Sequence, residues 1–311
     1  MTLIVREFGP TDAEVVSGLV RAALPYMGAN TPDVIAWNVA RAPAAQRNRL
    51  LVAELDGQVV GCGRTGLFHD SSEPGLAYVN VNVHPEARRR GVGGALLAAG
   101  ESYVAGLGAT TAYVWALEDD GSVAFGEKRG YRAGSSSSFQ RLDLVAGPLP
   151  EPRPLPPGVE LRTAADFVAD PRPLYETDAE SIEDEPNDVP TVAPAYDMWL
   201  ANEWSRPDLD RHLTTAVLVD GVVATLCTAH TDGGTRYFSA GTGTRRSYRG
   251  RGLAKLAKLD SLHRARAAGY TEAFTGNDLG NGPMLAVNKW FGYRPCATER
   301  RMSRELGRPG G

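Results

Sequence analysis

The apolar and polar residues of this 311-residue chain follow one order of patterns twice. A helical pattern comes first, then two apolar stretches that meet at an Asp-Gly turn, a strand, an Arg/Gly-rich turn, a second helix and a further strand. The Asp-Gly turns lie at Asp56-Gly57 and Asp220-Gly221, and the strands after them read LAYVNVNV and RYFSAGTGT. Corresponding positions lie about 160 residues apart, which is the spacing of whole domains. The pattern predicts two copies of one mixed α/β (α+β) fold, each a twisted mixed sheet flanked by helices.

The boundary between the copies is predicted in a proline-rich stretch, GPLPEPRPLPPG, from Gly147 to Gly158. Proline removes backbone donors and imposes an extended path that cannot enter the interior of a sheet. The predicted organisation is therefore an N-terminal domain over residues 1–146, a linker over 147–158 and a C-terminal domain over 159–311. Each half is long enough to bury its own apolar core.

Composition limits the classes of partner. The net charge is -4, and 42% of the residues are hydrophobic, so general affinity for nucleic acid or anionic membrane is not expected. Cys62, Cys227 and Cys296 show no paired spacing, which predicts neither a disulfide framework nor a metal site. The N-terminus lacks the pattern of a signal peptide, and no apolar stretch is long enough to span a membrane. A cytoplasmic location is the expectation.

The two Arg/Gly-rich turns are the strongest chemical signal. The first reads HPEARRRGVGG and the second RRSYRGRGLA, and each joins a strand to a helix. Glycine lets the backbone approach a diphosphate closely, while amides at the start of the helix donate to its oxygens. A single turn of this kind is as well explained by packing, but its recurrence in the same place favours two anion sites.

Other phosphate-binding motifs fit poorly. Neither turn has the Gly-Lys-Ser/Thr of an ATP-binding P-loop. The next strands, AYVWAL and EAFTG, do not clearly supply the acidic residue of a dinucleotide site. ATP and NAD are therefore not the expected ligands.

The Arg-x-x-Gly-x-Gly/Ala signature after a valine-bearing strand resembles that of the GNAT superfamily of N-acetyltransferases. The duplication resembles its tandem members, of the mycothiol synthase-like type. The resemblance implies that acetyl-CoA or another acyl-CoA binds at the turns, with its pantetheine along the preceding strands. The implied cofactor-binding residues are Val81, Val83, Arg88, Arg89, Arg90, Gly91, Val92, Gly93 and Gly94 in the first copy, and Thr242, Thr244, Arg249, Gly250, Arg251, Gly252, Leu253, Ala254 and Asn281 in the second.

The chain departs from this superfamily where a tyrosine often acts as general acid. Asn288 stands at that position in the second copy and Gly126 in the first. An asparagine early in the preceding helix is kept as Asn281 in the second copy, where the first copy has Asp119. Because it keeps Asn281, the second copy is the preferred catalytic copy, and Asn288 is a candidate in its site.

Direct acyl transfer needs a base that takes a proton from the acceptor amine. Glu185, in the segment EDEPNDVP with Asp184 and Asp188, and His230, near the end of a predicted strand, are candidates. The alternatives are that the segment is a solvated acidic loop or a rim that attracts a cationic amine, and that His230 is only a strand-end residue.

The expected function is transfer of an acyl group from acyl-CoA to a small-molecule primary amine, with one copy catalytic and the other binding CoA or purely structural. A non-catalytic acyl-CoA-binding or sensing protein is the alternative, because neither copy has the tyrosine; a structural pair without ligand is a third. The acceptor could be an antibiotic, an amino-acid derivative, a polyamine or a thiol-cofactor precursor. The pattern is compatible with a monomer or a homodimer.

Overall fold

The computed structural model describes residues 2–119, 121–184 and 191–307 of the chain. These residues form two compact units. The first unit contains the residues up to Ser137 and those from Ala297 onward, and the second contains the described residues from Ser138 to Cys296. These units do not coincide with the predicted domains, 1–146 and 159–311, which were defined by the two copies in the sequence. Those domain boundaries stay a prediction.

The first copy contains the helices and strands that the pattern indicates. In chain order they are β1 (Leu3–Glu7), α1 (Ala13–Ala23), α2 (Pro32–Ala40), β2 (Arg49–Leu55), β3 (Gln58–Leu67), β4 (Leu76–Val83), α3 (Val92–Gly106), β5 (Thr111–Leu117), α4 (Ser122–Glu127) and β6 (Arg132–Asp143).

The second copy repeats the order. Its elements are β7 (Val159–Thr163), α5 (Arg172–Ile182), α6 (Tyr196–Trp199), β8 (Thr215–Val219), β9 (Val222–Thr231), β10 (Arg236–Thr244), α7 (Leu253–Ala267), β11 (Glu272–Asp278), α8 (Gly282–Phe291) and β12 (Arg294–Glu305). A π-helical turn, Leu200–Trp204, continues α6.

The sheet of the first unit has the strand order β1-β2-β3-β4-β5-β12. Only the β4–β5 pair in this order is parallel. The predicted hairpin at Asp56-Gly57 is confirmed: both residues have positive φ, 53° and 84°, as such a two-residue turn requires. The strand that completes this sheet beside β5 comes from the end of the chain.

Helices cover both faces of the first sheet because the strands alternate apolar side chains to each face. On one face Leu96 and Leu97 of α3 pack against the strands, and on the other Val16 and Leu19 of α1 do so. Burying each such side chain contributes about 1.5–3 kcal/mol. The packing holds the ends of β4 and β5 at the start of α3.

The second unit repeats this plan with the strand order β6-β11-β10-β9-β8-β7, using residues 138–143 of β6. The β10–β11 pair is parallel, and β7, β8, β9 and β10 pair antiparallel in succession. The Asp220-Gly221 hairpin is confirmed by φ angles of 49° and 82°. Helix α7 packs on one face through Ala257 and Leu262, while Leu174 and Trp199 cover the other. The predicted mixed α/β class is therefore confirmed in both units.

Candidate functional site

In the first unit a cleft opens where β4 and β5 separate. The two strands pair only from Leu76↔Thr111 to Tyr78↔Tyr113, although they continue to Val83 and Leu117. Beyond the last pair, the Asn80 side-chain oxygen accepts the backbone N–H of Trp115 at 3.2 Å. The strands therefore diverge, and backbone of β4 becomes available to an extended ligand.

The cleft ends at the predicted anion turn. Gly91 directly precedes α3, which begins at Val92. Its φ of 86° is a backbone conformation that residues other than glycine rarely adopt. The amides of Val92, Gly93 and Gly94 are in the first turn, where N–H groups lack acceptors within the helix. Together with the helix dipole, these amides would favour an anion at the end of the cleft.

A cavity of about 650 Å³ occupies the cleft of the first unit. It is lined by strand, turn and helix residues: Ala23, Leu24, Val79, Val81, Asn82, Val83, Ala87, Arg88, Arg89, Gly91, Gly93, Gly94, Leu97, Val114, Trp115, Ala116, Leu117, Asp119, Gly121, Ser122, Phe125, Gly126, Arg129 and Tyr131. Its volume lies in the range of small-molecule and cofactor sites.

Three guanidinium groups line this cavity. Arg88 donates from Nε to the Val83 carbonyl at 3.4 Å, Arg89 lies beside Gly121, and Arg129 lies over the Phe125 ring with Cζ 3.7 Å from its centroid. Asp119 also lines it. Burial raises the pKa of Asp119, but hydrogen bonds from Ser122 and Gly121 outweigh burial and lower it, so the carboxylate stays ionised at the start of α4. The cavity therefore has a cationic end.

The second unit repeats the backbone geometry. Strands β10 and β11 pair from Arg236↔Glu272 to Ser239↔Thr275 and then continue to Thr244 and Asp278. Gly252 precedes α7 with φ 76°, as Gly91 precedes α3. Two equivalent strand-turn-helix units are thus present, as predicted.

The side chains around the second turn differ. Arg246 and Arg249 both donate to the Asp184 carboxylate, at 2.8 and 2.5 Å, and the Arg246 backbone N–H donates to Glu180 at 2.5 Å. The two guanidinium groups lower the pKa of Asp184 to about 2. Ser181 packs so closely against Gly243 that no side chain would fit at residue 243. Carboxylates of α5 and the residues after it therefore hold arginines of this turn.

Sequence and structure comparisons agree with the duplicated geometry. The model of the acetyltransferase (GNAT) family matches residues 21–131. A tandem GNAT protein from the clavulanic acid biosynthesis pathway superposes with a TM-score of 0.74 at 22% identity, covering 100% of both chains. The chain thus matches the GNAT family over residues 21–131 and shares the fold of this tandem protein over its whole length. A GCN5-related N-acetyltransferase from Sphaerobacter thermophilus superposes with a TM-score of 0.71 at 21% identity, covering 99% of this chain and 96% of the other. At these identities the structures show the shared fold alone.

Two curated proteins similar to this chain are named mycothiol acetyltransferases. The one from Salinispora arenicola is 36% identical over 155 residues, which are 49% of this chain and 47% of the relative. The one from Geodermatophilus obscurus is 38% identical over 123 residues, 39% of this chain and 37% of the relative. This chain therefore matches less than half of the length of either relative.

The predicted cofactor-binding residues of the first copy mostly meet at the cavity. Val92 and Arg90 are exceptions: Val92 is buried in the core against β3, and Arg90 lies 3.8 Å from the Asp56 carboxylate. The others line the cavity, namely Val81, Val83, Arg88, Arg89, Gly91, Gly93 and Gly94.

In the second copy the predicted residues are more dispersed in role. Thr242 and Thr244 direct their hydroxyls to β9, at Cys227 and Thr225. The other predicted residues divide between the turn, the core and a cap. In the turn, Arg249 is paired with Asp184, Gly250 has φ 76°, Arg251 lies over the Tyr248 ring and Gly252 precedes α7. Leu253 is in the core, and Ala254 is half-buried in the first turn of α7. Asn281 caps α8 by accepting the Met284 N–H.

Asn288 belongs to a buried polar chain. Its side-chain oxygen accepts from Lys258 Nζ at 2.6 Å, and its amide nitrogen donates to the Asn277 side-chain oxygen at 2.7 Å. Asn288 and Lys258 are 0% and 1% exposed. Burial lowers the pKa of Lys258 to about 8. Both polar groups of Asn288 are thus engaged inside the protein.

Neither His230 nor Asp184 is brought to this chain of contacts. His230 lies on β9 with Nδ1 3.7 Å from the Asp208 carboxylate, and burial lowers its pKa to about 4, so it is neutral at pH 7. Glu185 lies outside the described residues, as does Asp188. Asp184 is paired with the arginines of the second turn. In the described part of the chain, no cluster of three or more His, Cys, Asp or Glu is placed to hold a metal ion.

Several cavity residues were missed by sequence reasoning. Arg129, Phe125 and Trp115 line the cavity, as do Ala23 and Leu24 at the end of α1. No motif marks these residues, because they come from separate elements that the fold brings together. Asp119 was noted only as a departure from the superfamily pattern, yet it also lines the cavity.

No helix among the described residues is long and apolar enough to cross a membrane. Cys62 and Cys227 are buried and Cys296 is exposed, and none of these three described residues forms a disulfide.

Proposed function

We propose that the chain is an acyl-CoA-dependent N-acyltransferase that carries an acetyl group to a small-molecule primary amine, and that the first unit holds the acyl-CoA. The observation that carries the proposal is the cavity of about 650 Å³ that joins the β4–β5 cleft to the amides of α3 and to three arginines. The GNAT family model, which matches this part of the chain, supports acyl transfer as its chemistry.

The residues present fit a ligand with an extended arm and a diphosphate. Val79, Val81 and Val83 of β4 line one side of the cleft and offer backbone groups to a pantetheine arm. A Cβ at Gly93 would lie 3.5 Å from the Phe125 ring, so glycine keeps the helix start open. The amides at the start of α3 would hold the diphosphate, with Arg88, Arg89 and Arg129 adding positive charge.

When bound, acyl-CoA supplies an activated thioester, so the protein needs no nucleophile of its own. The walls of the cleft, including Leu97 and Trp115, would orient the acyl end and exclude water. The cationic end of the cavity would hold the phosphate groups, and the acyl group would lie further along the cleft. These roles amount to positioning plus removal of a proton from the amine.

The second unit is proposed to be a weaker acyl-CoA site or a structural copy. Its turn has the right backbone, but Asp184 already occupies two of its arginines. This assignment differs from the preference for the second copy that rested on Asn281, and it rests on side-chain contacts.

The test has two measurements on the full chain. Calorimetric titration with acetyl-CoA is expected to show binding, and a thiol-trapping reagent is expected to report CoA release that depends on an added amine. The amine panel should include aminoglycosides, polyamines, amino-acid derivatives and amines related to mycothiol, since two relatives are named mycothiol acetyltransferases. Binding without release across the panel would favour an acyl-CoA sensor, and absence of binding would contradict the proposal. A cytoplasmic location belongs to the same proposal, and cysteines that form no disulfide are compatible with it.

A further inference from the structure

The last strand of the chain pairs with a strand that lines the cleft of the first unit. Strand β12 pairs antiparallel with β5 from Glu299↔Leu117 to Glu305↔Thr111. Residues directly opposite each other in such a pair direct their side chains to the same face of the sheet. Glu299 therefore lies on the same face as Leu117, and Arg301 on the same face as Trp115. Leu117 and Trp115 both line the cavity.

Glu299 is a buried carboxyl group at this position. It is 6% exposed, and it accepts a hydrogen bond of 2.8 Å from the hydroxyl of Tyr26, which is 5% exposed. Tyr26 follows Leu24, a cavity residue at the end of α1, so the pair stands beside the cavity wall. Burial raises the pKa of Glu299, and the Tyr26 hydrogen bond offsets part of that rise.

Among the described residues, Arg301 and Tyr26 lie on the same side of the sheet as Glu299. Arg301 lies two residues along β12, with its guanidinium 5.8 Å from the centroid of the Tyr113 ring, and Tyr26 comes from the segment after α1. Arg300 follows Glu299 on β12 and directs its side chain to the other face of the sheet. It forms an ion pair with Glu118, which follows Leu117. Burial disfavours the charged form of a carboxyl group such as that of Glu299, which makes its carboxylate a stronger proton acceptor than an exposed one.

We propose that Glu299 is the general base for the acceptor amine in the first unit. This inference rests on the proposed acyltransferase function and adds to it a residue from the opposite end of the chain. The first unit would then need the last strand for catalysis as well as for folding.

The step balances with groups already named. The amine nitrogen forms a bond to the thioester carbonyl carbon and gives its proton to the Glu299 carboxylate, directly or through one water. The carbon–sulfur bond breaks, and its electron pair leaves on the CoA sulfur. The thiolate takes up a proton and Glu299 releases one to solvent, which restores the carboxylate.

Glu299→Gln is the first test, because the amide oxygen can still accept the Tyr26 hydroxyl while the base is lost. We expect kcat for amine-dependent thiol release to fall about 100-fold or more, with the Kd for acetyl-CoA unchanged within about twofold. Glu118→Gln, on the neighbouring strand, is the matched control and should keep its activity. An unchanged kcat in Glu299→Gln, or an equal loss of acetyl-CoA binding, would overturn the inference.

Tyr26→Phe tests the same carboxyl group without removing it. Because the Tyr26 hydroxyl lowers the pKa of Glu299, its loss should raise that pKa and move the acid limb of the kcat profile to higher pH. An acid limb that stays in place or moves to lower pH would overturn the inference.

A measurement without acyl-CoA separates this inference from the proposed function. Carbon-13 NMR of protein labelled at glutamate carboxyls, assigned by the signal missing in Glu299→Gln, should show Glu299 titrating above the ordinary glutamate range and higher still in Tyr26→Phe. Titration in the ordinary range would overturn the inference even if the wild type transfers acyl groups. Absence of amine-dependent thiol release from the wild type would instead overturn the proposed function, and the inference with it.

Discussion

The two clefts of this protein have the same backbone plan but different contents. Leu97 and Lys258 occupy equivalent positions, because each is the sixth residue of its helix, α3 or α7. Ala116 and Asn277 are likewise equivalent, as the sixth residues of β5 and β11. In the first unit Leu97 and Ala116 line an open cavity. In the second, Lys258 and Asn277 are joined through Asn288 in a buried polar chain.

The arginines of the two turns also differ, because those of the first unit line a cavity and those of the second are paired with a carboxylate. Arg88 and Arg89 line the cavity of the first unit. Arg246 and Arg249 of the second unit donate to the Asp184 carboxylate, so an anionic group of the protein itself already pairs with them. The comparison shows that a duplicated backbone can keep the geometry of an anion site while side chains decide whether a ligand can use it.

The sharpest way to break this comparison is to put a carboxylate into each helix start. Gly93→Glu should weaken acetyl-CoA binding about 1,000-fold, because like charges held together cost several kcal/mol. Gly93 is preferable to Gly91, whose φ of 86° would strain any side chain. Calorimetry gives the Kd.

Ala254→Glu is the matched control, since Ala254 is the second residue of α7 as Gly93 is of α3. It should leave the main binding event unchanged. If Ala254→Glu abolished binding and Gly93→Glu did not, the second unit would be the cofactor site.

The buried lysine should make stability depend on pH. Lys258 has its pKa lowered from 10.5 to about 8 by burial, so between these values the unfolded chain binds more protons than the folded one. The free energy of unfolding should therefore rise between pH 8 and pH 10.5, by about 3 kcal/mol if the whole shift is expressed.

Lys258→Met removes this titration with a side chain of similar length. Denaturant unfolding at several pH values should show that the wild type gains stability relative to the variant over that interval. A constant difference between the two proteins would mean that Lys258 does not lose its proton in the folded state in that range.

Arg129, a cavity residue that no sequence motif indicated, provides a further test of the open cleft. Arg129→Ala should weaken acetyl-CoA binding about tenfold, because a charge-assisted hydrogen bond contributes roughly 1.5–3 kcal/mol. Arg132→Ala, an exposed arginine nearby that is not in the cavity wall, is the control. Equal affinities for the two variants would remove Arg129 from the proposed site.

The smallest expected effect concerns the closed turn. In the Gly93→Glu background, Asp184→Asn should release Arg246 and Arg249 and tighten acetyl-CoA binding at the second unit by about two- to fivefold, a surface ion-pair effect below about 1 kcal/mol. Glu183→Gln, which affects only the 3.3 Å contact with Arg246, should change less. Weaker binding after Asp184→Asn would show that this carboxylate supports the turn.

Local signals explain what could be predicted. The Asp-Gly hairpins, the glycine before α3 and α7, and the strand-turn-helix order depend on residues near one another in sequence, and the structure contains them all. The predicted cofactor residues of the first copy that line the cavity were chosen largely through these signals. Arg129 and Trp115 were not, because they reach the cavity from elements that follow α3 in the chain.

The sequence by itself therefore determined the duplication, the mixed α/β plan and the places where two anion sites can form. Only the tertiary structure decided that the first cleft is open, that Lys258, Asn277 and Asn288 lie together in the second unit, and that Glu299 stands beside the cavity of the first unit. The physical reason is range: turn and helix signals are set by neighbouring residues, whereas burial, charge pairing and strand partnership join residues as distant as Tyr26 and Glu299.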